Sequence, residues 1–159
     1  MPLFMNQIRK SRSFSGDKEA EINNLGIFFE NDVKGGYATF QKFLDAVHSE
    51  LQKGFGFEIL IKGFTSPLAQ DEYNKNLGKR RVQSIRNELR SYNGSVLVPF
   101  IDSGLLKITD VSYGEELAPS TIIDNPQQPA SSIYSTEASK ERRVEIIEVK
   151  RIFKNTNAQ

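Results

Sequence analysis

The stretch from Lys62 to Tyr92, KGFTSPLAQDEYNKNLGKRRVQSIRNELRSY, most constrains how this chain can fold. It begins where a strand ends, turns at Ser66-Pro67, and continues as an amphipathic helix from near Asp71. The face that we expect to pack on a core has four apolar residues near helical spacing: Leu77, Val82, Ile85 and Leu89. The rest of the chain must be arranged around this strand and helix.

The other faces of this predicted helix are strongly cationic. They carry Lys75, Lys79, Arg80, Arg81, Arg86 and Arg90. Such residues most often form a solvated face whose long stems cover apolar surface. Asn74 and Arg81, however, lie seven positions apart, which is about two helical turns, so their side chains can converge above the preceding loop. These two residues are the first candidates for a binding site.

Before this unit, the patterns predict a strand, a helix and a second strand. Ile22–Glu30 contains a short apolar run that suits a buried strand. Tyr37–Gln52 has apolar residues at helical spacing, and Gly54 stands where a helix C-terminal glycine is expected. Phe55–Lys62 alternates between apolar and other residues, which indicates a strand with one buried face.

After this unit, the signals are shorter. Val96–Ile101 is interrupted by Pro99, so it is at most an edge strand. Gly104–Tyr113 predicts a further strand and Val144–Phe153 the last one. Between them, Ser135–Arg142 predicts a short helix whose first residue is of the capping type.

The sum predicts an α+β domain with the order β-α-β-α-β-(α)-β. We expect a two-layer sandwich in which two main helices pack on one side of a mixed sheet, with a right-handed first crossover. The domain is placed at residues 21–154, with a long excursion at about 114–134. Residues 1–20 are interpreted as a tail or the remnant of a linker, and residues 155–159 as a second tail.

Composition excludes several classes of function. The 21 Lys and Arg residues against 20 Asp and Glu residues give a net charge of +1, so no protein-wide attraction to nucleic acid or anionic membrane is expected. There is no cysteine, and the single histidine, His48, has no second ligand near it, so we predict no metal and no cofactor. Without a phosphate-binding glycine loop or a convincing Ser-base pair, we predict a protein that is not an enzyme.

Targeting signals leave two possibilities open. The N-terminal residues MPLFMNQIRKSRSF lack the long apolar run of a signal peptide, and we expect no segment to span a membrane. Either the protein is cytosolic or it is a domain of a longer exported chain.

Five short motifs occur in order along the chain. They are Phe29–Asp32 (FEND), Gly63–Ser66 (GFTS), Asn74–Arg81 (NKNLGKRR), Tyr113–Glu115 (YGE, with Pro119 after it) and Glu141–Val144 (ERRV). In these motifs the sequence resembles the OmpA-like peptidoglycan-binding domain, the periplasmic module of outer membrane protein A and related envelope proteins. The resemblance covers roughly residues 22–153. No motif is strong alone, but together they form a specific signal.

The resemblance implies an OmpA-like fold and a non-catalytic module that anchors an envelope protein to peptidoglycan, in the periplasm or at the outer membrane. In that family, a helix arginine and a loop aspartate hold the zwitterionic end of diaminopimelate in the stem peptide. Arg81 matches the arginine, because a guanidinium can grip a carboxylate with two parallel bonds. The residues expected to bind the ligand are Arg81, Asn74, Ser66, Thr65, Glu30 and Arg142.

The ammonium half of this expected pocket departs from the family pattern. Ser66 occupies the aspartate position, and a neutral bond in place of a charge-assisted one loses roughly 1 kcal/mol or more. Glu30 replaces the first-strand aspartate, and Glu141 replaces the terminal asparagine. We hypothesise that Glu30, Asp32 or Asp71 supplies the missing negative charge close to Ser66.

Other interpretations stay open at this point. Arg81 can be an ordinary helix arginine with an ion-pair partner such as Asp71 or Glu88, and Ser66 can be turn chemistry only. The alternative function is an OmpA-like scaffold that has lost wall binding and docks a protein partner, with other envelope proteins as candidates. A nucleic-acid binder that uses the cationic helix is weakest, since no aromatic residues are interleaved with its basic run.

Overall fold

The computed structural model of this chain describes residues 17–65, 71–112 and 135–154. In chain order, its elements are α1 (Lys18–Phe28), a π-helical segment (Phe29–Lys34), α2 (Gly35–Gln52), β1 (Phe55–Gly63), α3 (Asp71–Ser95), α4 (Val98–Asp102), β2 (Leu106–Ser112), α5 (Thr136–Glu141) and β3 (Val144–Lys154). In the described residues the strand order is β2-β1-β3, with β1 parallel to β2 and antiparallel to β3. The fold is therefore α+β with a small mixed sheet, as the sequence predicts in outline.

The main core lies between the sheet and helices α2 and α3. Ile59 and Ile61 of β1 are both completely buried, and they share one face of the strand because side chains alternate along it. The other buried members of this core are Leu44, Val47, Leu51, Val82, Leu89, Tyr92, Leu97 and Leu106. The buried residues of α2 and α3 thus lie on the apolar faces that the sequence predicted to pack on a core.

Helix α3 packs closely against the end of β1 at a pair of glycines. A Cβ atom on Gly63 would lie 2.7 Å from the carbonyl oxygen of Gly78 and 3.0 Å from a methyl group of Val82. Only a residue without a side chain allows the end of β1 to come this close to the helix backbone. This contact brings the first half of α3 against the C-terminal end of β1.

The opposite face of the sheet is polar. The Thr109 hydroxyl donates a hydrogen bond of 2.9 Å to the Glu58 carboxylate on the neighbouring strand. On β3, the ammonium of Lys150 lies 2.9 Å from a carboxylate oxygen of Glu148, and both side chains are well exposed. This agrees with the prediction that the strand at Phe55–Lys62 has one buried face.

The predicted strand at Ile22–Glu30 is wrong, because these residues belong to α1 and the π-helical segment. Asp17 caps α1 by accepting hydrogen bonds from the backbone N–H groups of Glu19 and Ala20. Ile22 and Leu25, three positions apart, form the buried side of the helix, so the apolar run is used at helical spacing. The predicted first β-α-β crossover therefore lacks its first strand.

Helix α1 is held to α5 by a contact that is remote in sequence. A carboxylate oxygen of Glu21 accepts hydrogen bonds from the backbone N–H of Thr136 at 2.8 Å and from its hydroxyl at 2.9 Å. The N-terminus of α5 is further capped by Ser135, which accepts from Ala138 N–H at 3.1 Å, as predicted. Residues 18–20, which we assigned to a tail, are the first turn of α1.

The expected edge strand at Val96–Ile101 is also wrong, since Val98–Asp102 forms the short helix α4. Pro99 lies in its first turn, where the missing N–H costs no helical hydrogen bond. The ends of the two main helices are correct: Gly54 follows α2 with a φ of 82°, and regular helical geometry in α3 stops before Tyr92. The predicted excursion at about 114–134 falls outside the described residues.

Candidate binding site at the end of the first strand

Arg81 reaches from α3 to the residue that follows β1. Its Nη1 atom donates a hydrogen bond of 2.6 Å to the carbonyl oxygen of Phe64. The side chain is half-buried, and this burial lowers the pKa of the guanidinium; the charge of Arg80 acts in the same direction, while Tyr73 opposes it. Among the described residues, no carboxylate forms an ion pair with Arg81.

The proposed ion pair between Arg81 and Glu88 is not formed. The Glu88 carboxylate instead accepts hydrogen bonds from the Tyr37 hydroxyl at 2.8 Å and from the Gln41 amide at 3.3 Å. Glu88 therefore joins α3 to α2, two turns beyond Arg81. Glu88 is therefore excluded as an ion-pair partner of Arg81. The side chain of the other candidate partner, Asp71, lies outside those that the structure describes.

Two of the polar side chains that the sequence predicts for the site are almost fully buried. Thr65 and Asn74 are each 2% exposed. The Thr65 hydroxyl has no hydrogen-bond partner among the described residues. Buried hydroxyl groups nearly always have a partner, so this one marks a place where another polar group can bind.

Phe64 connects this region to the start of β3. Its backbone N–H donates to the carbonyl oxygen of Arg143 at 2.9 Å, and the Arg143 guanidinium lies 4.2 Å from the centre of the Phe64 ring. On another side, the Lys62 ammonium lies 4.7 Å from the same ring centre. Three cationic side chains, Lys62, Arg81 and Arg143, therefore surround Phe64.

Arg143 differs from Arg81 because acidic residues neutralise it. Its Nε atom lies 2.5 Å from a carboxylate oxygen of Glu145, and its Nη1 atom lies 3.1 Å from one of Glu141. Burial alone would lower the pKa of Arg143, but the hydrogen bonds and charges of Glu145 and Glu141 outweigh it and raise the pKa. The charge of Arg143 is thus satisfied within the protein.

Glu30 does not occupy the strand-end position that we predicted for it. It lies in the π-helical segment, where its exposed carboxylate is 2.5 Å from the ammonium of Lys34 one turn later. Asp32 is exposed in the same segment. The hypothesis that one of these carboxylates approaches the Ser66 hydroxyl stays a prediction, because Ser66 lies outside the described residues.

The structure describes both arginines of the terminal Arg-Arg pair. Arg142, the predicted site residue, is half-buried just after α5, and its ligand-binding role stays a prediction; Arg143 contacts Phe64. The strand register explains this: Val144 pairs with Gly63, so Arg143 stands opposite Phe64. Sequence reasoning missed Arg143 because the motif contains both arginines and does not state the register.

We call Phe64, Thr65, Arg81 and Arg143 the strand-end cluster. It contains two of the six predicted ligand-binding residues, Thr65 and Arg81; a third, Asn74, is buried on α3 two turns before Arg81. Chemically, the cluster offers one oriented guanidinium and one buried hydroxyl, neither of which uses all its hydrogen-bonding capacity on described residues, and an aromatic ring. Such a set suits a carboxylate-bearing ligand.

Other kinds of site find little support in the described part of the chain. No group of three or more His, Asp or Glu residues there is placed to hold a metal ion. His48 packs edge-on against the ring of Phe100, with 5.9 Å between ring centres. Helices of the described ranges are all too short or too polar to cross a bilayer.

Comparison of the sequence with models of known protein families gives no match, and neither does comparison with curated proteins.

Proposed function

We propose that this protein is a non-catalytic, OmpA-like binding module of the cell envelope, which grips a carboxylate of the peptidoglycan stem peptide with Arg81. The proposal rests on the surroundings of the Arg81 side chain. It is half-buried, it is oriented by one backbone carbonyl, and no described carboxylate pairs with it. The motif resemblance supplies the class of ligand.

The energetic argument rests on what Arg81 lacks. Removing part of a guanidinium from water is unfavourable unless an anion or several hydrogen bonds compensate. Arg86, Arg90, Arg143 and Arg151 each have a carboxylate within ion-pair distance, which is the usual arrangement for a structural or surface arginine. Within the described residues, Arg81 has donors that bond to no other residue, and hydrogen bonds to a charged group are worth about 1.5–3 kcal/mol. A bound carboxylate would supply this missing interaction.

The bond to Phe64 also fixes the direction of the guanidinium. Because the Nη1 atom is held by the strand-end carbonyl, the remaining donors keep one orientation relative to Thr65. Preorganisation of this kind reduces the entropy that binding costs. The ammonium of a diaminopimelate-type residue has only the neutral Ser66 at the family's aspartate position, so we expect weaker binding than a charged pocket would give.

The test is co-sedimentation of the protein with isolated peptidoglycan sacculi. We expect the wild type to sediment with sacculi, and Arg81→Ala to weaken binding about tenfold or more, which corresponds to about 1.4 kcal/mol. Arg80→Ala is the matched control, because it removes the same charge from an exposed neighbour that packs over the Tyr73 ring at 5.7 Å. This control should bind like the wild type.

Several outcomes separate the proposal from its alternatives. An equal loss in Arg80→Ala and Arg81→Ala, with steep salt dependence, would indicate non-specific electrostatics and contradict the arginine grip. A gain in Ser66→Asp would show that the ammonium half limits binding. If Ser66→Asp bound sacculi and the wild type did not, the pocket of the natural sequence would have lost its ability to bind the wall. No binding by any variant would favour the protein-docking scaffold.

A further inference from the structure

Strand β3 forms one edge of the described sheet, since the strand order in this part of the chain is β2-β1-β3. With 11 residues it is long for an edge strand, because protected edges are often very short. Its middle, residues 147–151, is exposed at every position. Two of these residues are large and apolar: Ile147 is 45% exposed and Val149 is 42% exposed. The strand therefore presents apolar as well as charged side chains to its surroundings.

The backbone of β3 also has bonding groups that point away from β1. In β1, the Phe57 N–H bonds toward β2, whereas the Phe64 N–H bonds toward β3. Since neighbouring residues along a strand direct their backbone groups to opposite sides, the even-numbered residues of β1 are the ones that bond to β3. Val149 lies opposite the odd-numbered Ile59. Its N–H and C=O groups therefore face the outer edge of β3, the side away from β1.

The charges of this segment are complementary to those of an antiparallel copy. Glu148 and Lys150 flank Val149. They lie on the same face of the sheet, because their partners on β1, Leu60 and Glu58, are two positions apart. If two copies of β3 run antiparallel about a two-fold axis at Val149, Glu148 of each copy stands opposite Lys150 of the other. Opposite charges directly across an antiparallel pair stabilise it.

Within one copy, these two side chains already form an ion pair that a second copy would complete. The Lys150 ammonium lies 2.9 Å from a Glu148 carboxylate oxygen, and the two side chains are 58% and 44% exposed. Such an exposed pair contributes little by itself. A second copy would add one carboxylate beside each ammonium, so that four charges of alternating sign form a square.

The contrasting interpretation is that β3 is a protected edge. Charges and bulges commonly protect edge strands against pairing, and β3 has both, since the pairing register with β1 shifts between Ile146 and Glu148. Protection is most effective, however, when the charges repel every incoming strand. Because Glu148 and Lys150 have opposite signs, they repel strands in most registers and attract a copy in this one.

We propose that this protein forms a weak homodimer by antiparallel pairing of β3 with β3 of a second copy, centred on Val149. The two Val149 residues exchange backbone hydrogen bonds and bring their exposed side chains together, while Glu148 and Lys150 form the cross-strand ion pairs. The contact is a single strand pair, which is smaller than a standard interface, so we expect a Kd on the order of 100 µM. The described sheets of the two copies become one continuous sheet.

The experiment is sedimentation velocity of the full chain over a range of concentrations. We expect a reversible dimer for the wild type. Glu148→Lys and Lys150→Glu each turn two attractive cross-strand pairs into repulsive ones, so each should raise the Kd about tenfold or more. The matched control is Lys79→Glu, which changes the net charge as Lys150→Glu does, at an exposed position of α3. It should keep the wild-type Kd.

An equimolar mixture of Glu148→Lys and Lys150→Glu makes the test specific. In a mixed pair, both cross-strand contacts again join opposite charges, so we expect a heterodimer although neither variant pairs well with itself. The double variant Glu148→Lys/Lys150→Glu should recover the wild-type Kd for the same reason. An ion pair that served only the fold of one chain would give neither result.

The backbone part of the contact is tested at Val149. Val149→Pro removes an N–H that faces the outer edge and not β1, so we expect a monomer whose circular dichroism spectrum and cooperative unfolding are retained. In the wild type, hydrogen exchange of the Val149 amide should become slower as the protein concentration rises.

A wild type that stays monomeric up to about 1 mM would overturn the proposal. Equal Kd values for the wild type and both single variants, or a mixture without heterodimer, would do the same. Slow exchange of the Val149 amide at every concentration would mean that a segment of the same chain covers this edge, which also contradicts the dimer. The assay contains no wall material and the variants leave the strand-end cluster unchanged, so its failure is distinct from failure of the proposed function.

Discussion

The two halves of α3 use similar arginines for different purposes. In the first half, Gly78 packs against Gly63, and the one described residue that bonds to the Arg81 side chain is Phe64, through its carbonyl. In the second half, Arg86 is bonded to both the backbone and a carboxylate of β2, and Tyr92 donates to Asp45 of α2. The second half is fastened through its side chains, whereas the first half is fastened through close backbone packing.

This difference indicates where the molecule can bind another group. Close packing of Gly63 on Gly78 holds the first half without using the polar side chains beside it. Arg81 and the Thr65 hydroxyl are both at least half-buried, yet toward the residues that the structure describes they keep unused hydrogen-bonding capacity. A fold that places its anchors in the backbone leaves such side chains available for a ligand.

Gly63→Ala should break the backbone anchor of the first half and have the largest effect. The added Cβ would lie 2.7 Å from a backbone oxygen that cannot rotate away, so we expect a loss of about 1–3 kcal/mol in the free energy of unfolding. Displacement of α3 would also lengthen the Arg81–Phe64 bond and weaken binding to sacculi. Chemical denaturation measures the first effect and sedimentation the second.

The control for this variant is Gly36→Ala in α2, where a Cβ would meet nothing within 4 Å. Alanine is favoured over glycine in a helix, so this change should be neutral or stabilise by up to about 1 kcal/mol. If Gly63→Ala were as stable as the wild type, the backbone anchor would be contradicted.

Arg86→Ala and Arg81→Ala sharpen the comparison of the two arginines. Removing Arg86 leaves the Ile108 carbonyl without its donor and breaks the contact with Asp110, so we expect a loss of about 1–2 kcal/mol in unfolding free energy. Removing Arg81 also breaks one bond, but it relieves a partly desolvated charge that has no described counter-ion. Its stability should change by less than about 1 kcal/mol. Urea denaturation of both variants in one buffer measures the difference, and the reverse order would contradict it.

Tyr92→Phe tests the side-chain anchor at the end of α3 with the smallest expected effect. Its hydroxyl bonds to the solvated Asp45 carboxylate, so the loss should be about 1 kcal/mol near neutral pH. This hydrogen bond, together with burial and the charge of Asp45, raises the pKa of Tyr92 to about 12 from its ordinary value of 10.0.

The pH dependence of that variant has a defined sign. The stabilisation by Tyr92 is fully present below pH 10.0, the ordinary pKa, because the hydroxyl is then protonated in both the folded and the unfolded chain. As the pH rises towards about 12, the unfolded chain loses this proton first, and the stabilisation is lost. Denaturation of the wild type and Tyr92→Phe at several pH values should show their difference shrinking above pH 10.0; a constant difference would contradict the Asp45 contact.

Sequence patterns predicted the parts of this fold whose signals are local and long. The alternation in Phe55–Lys62 and the helical spacing in Tyr37–Gln52 each span many residues, and both elements are confirmed. Ile22–Glu30 failed because a short apolar run fits either a strand or one face of a helix. The decision comes from tertiary contacts, such as the bond between Glu21 and Thr136, which lie 115 positions apart.

The candidate site was predictable to a similar extent. The spacing of Asn74 and Arg81 predicted that both lie on the helix after β1, and both lie on α3; Thr65, just after the end of β1, is buried. Their role in binding a ligand stays a prediction. The contribution of Arg143 depends on the pairing of β3 with β1, which a single sequence does not specify. Glu30 lies away from its predicted strand-end position because Ile22–Glu30 is helical and not the predicted strand.

The π-helical segment between α1 and α2 sets the rotational phase of α1. The backbone remains right-handed at both junctions, and the Gly35 N–H bonds back to the Glu30 carbonyl, five residues earlier. Deleting one residue from Phe29–Lys34, so that ordinary α-helical bonding continued, would turn α1 by about 100° around the common axis. Glu21 would then point away from Thr136, and the length of this segment is therefore as constrained as the contact that it aligns.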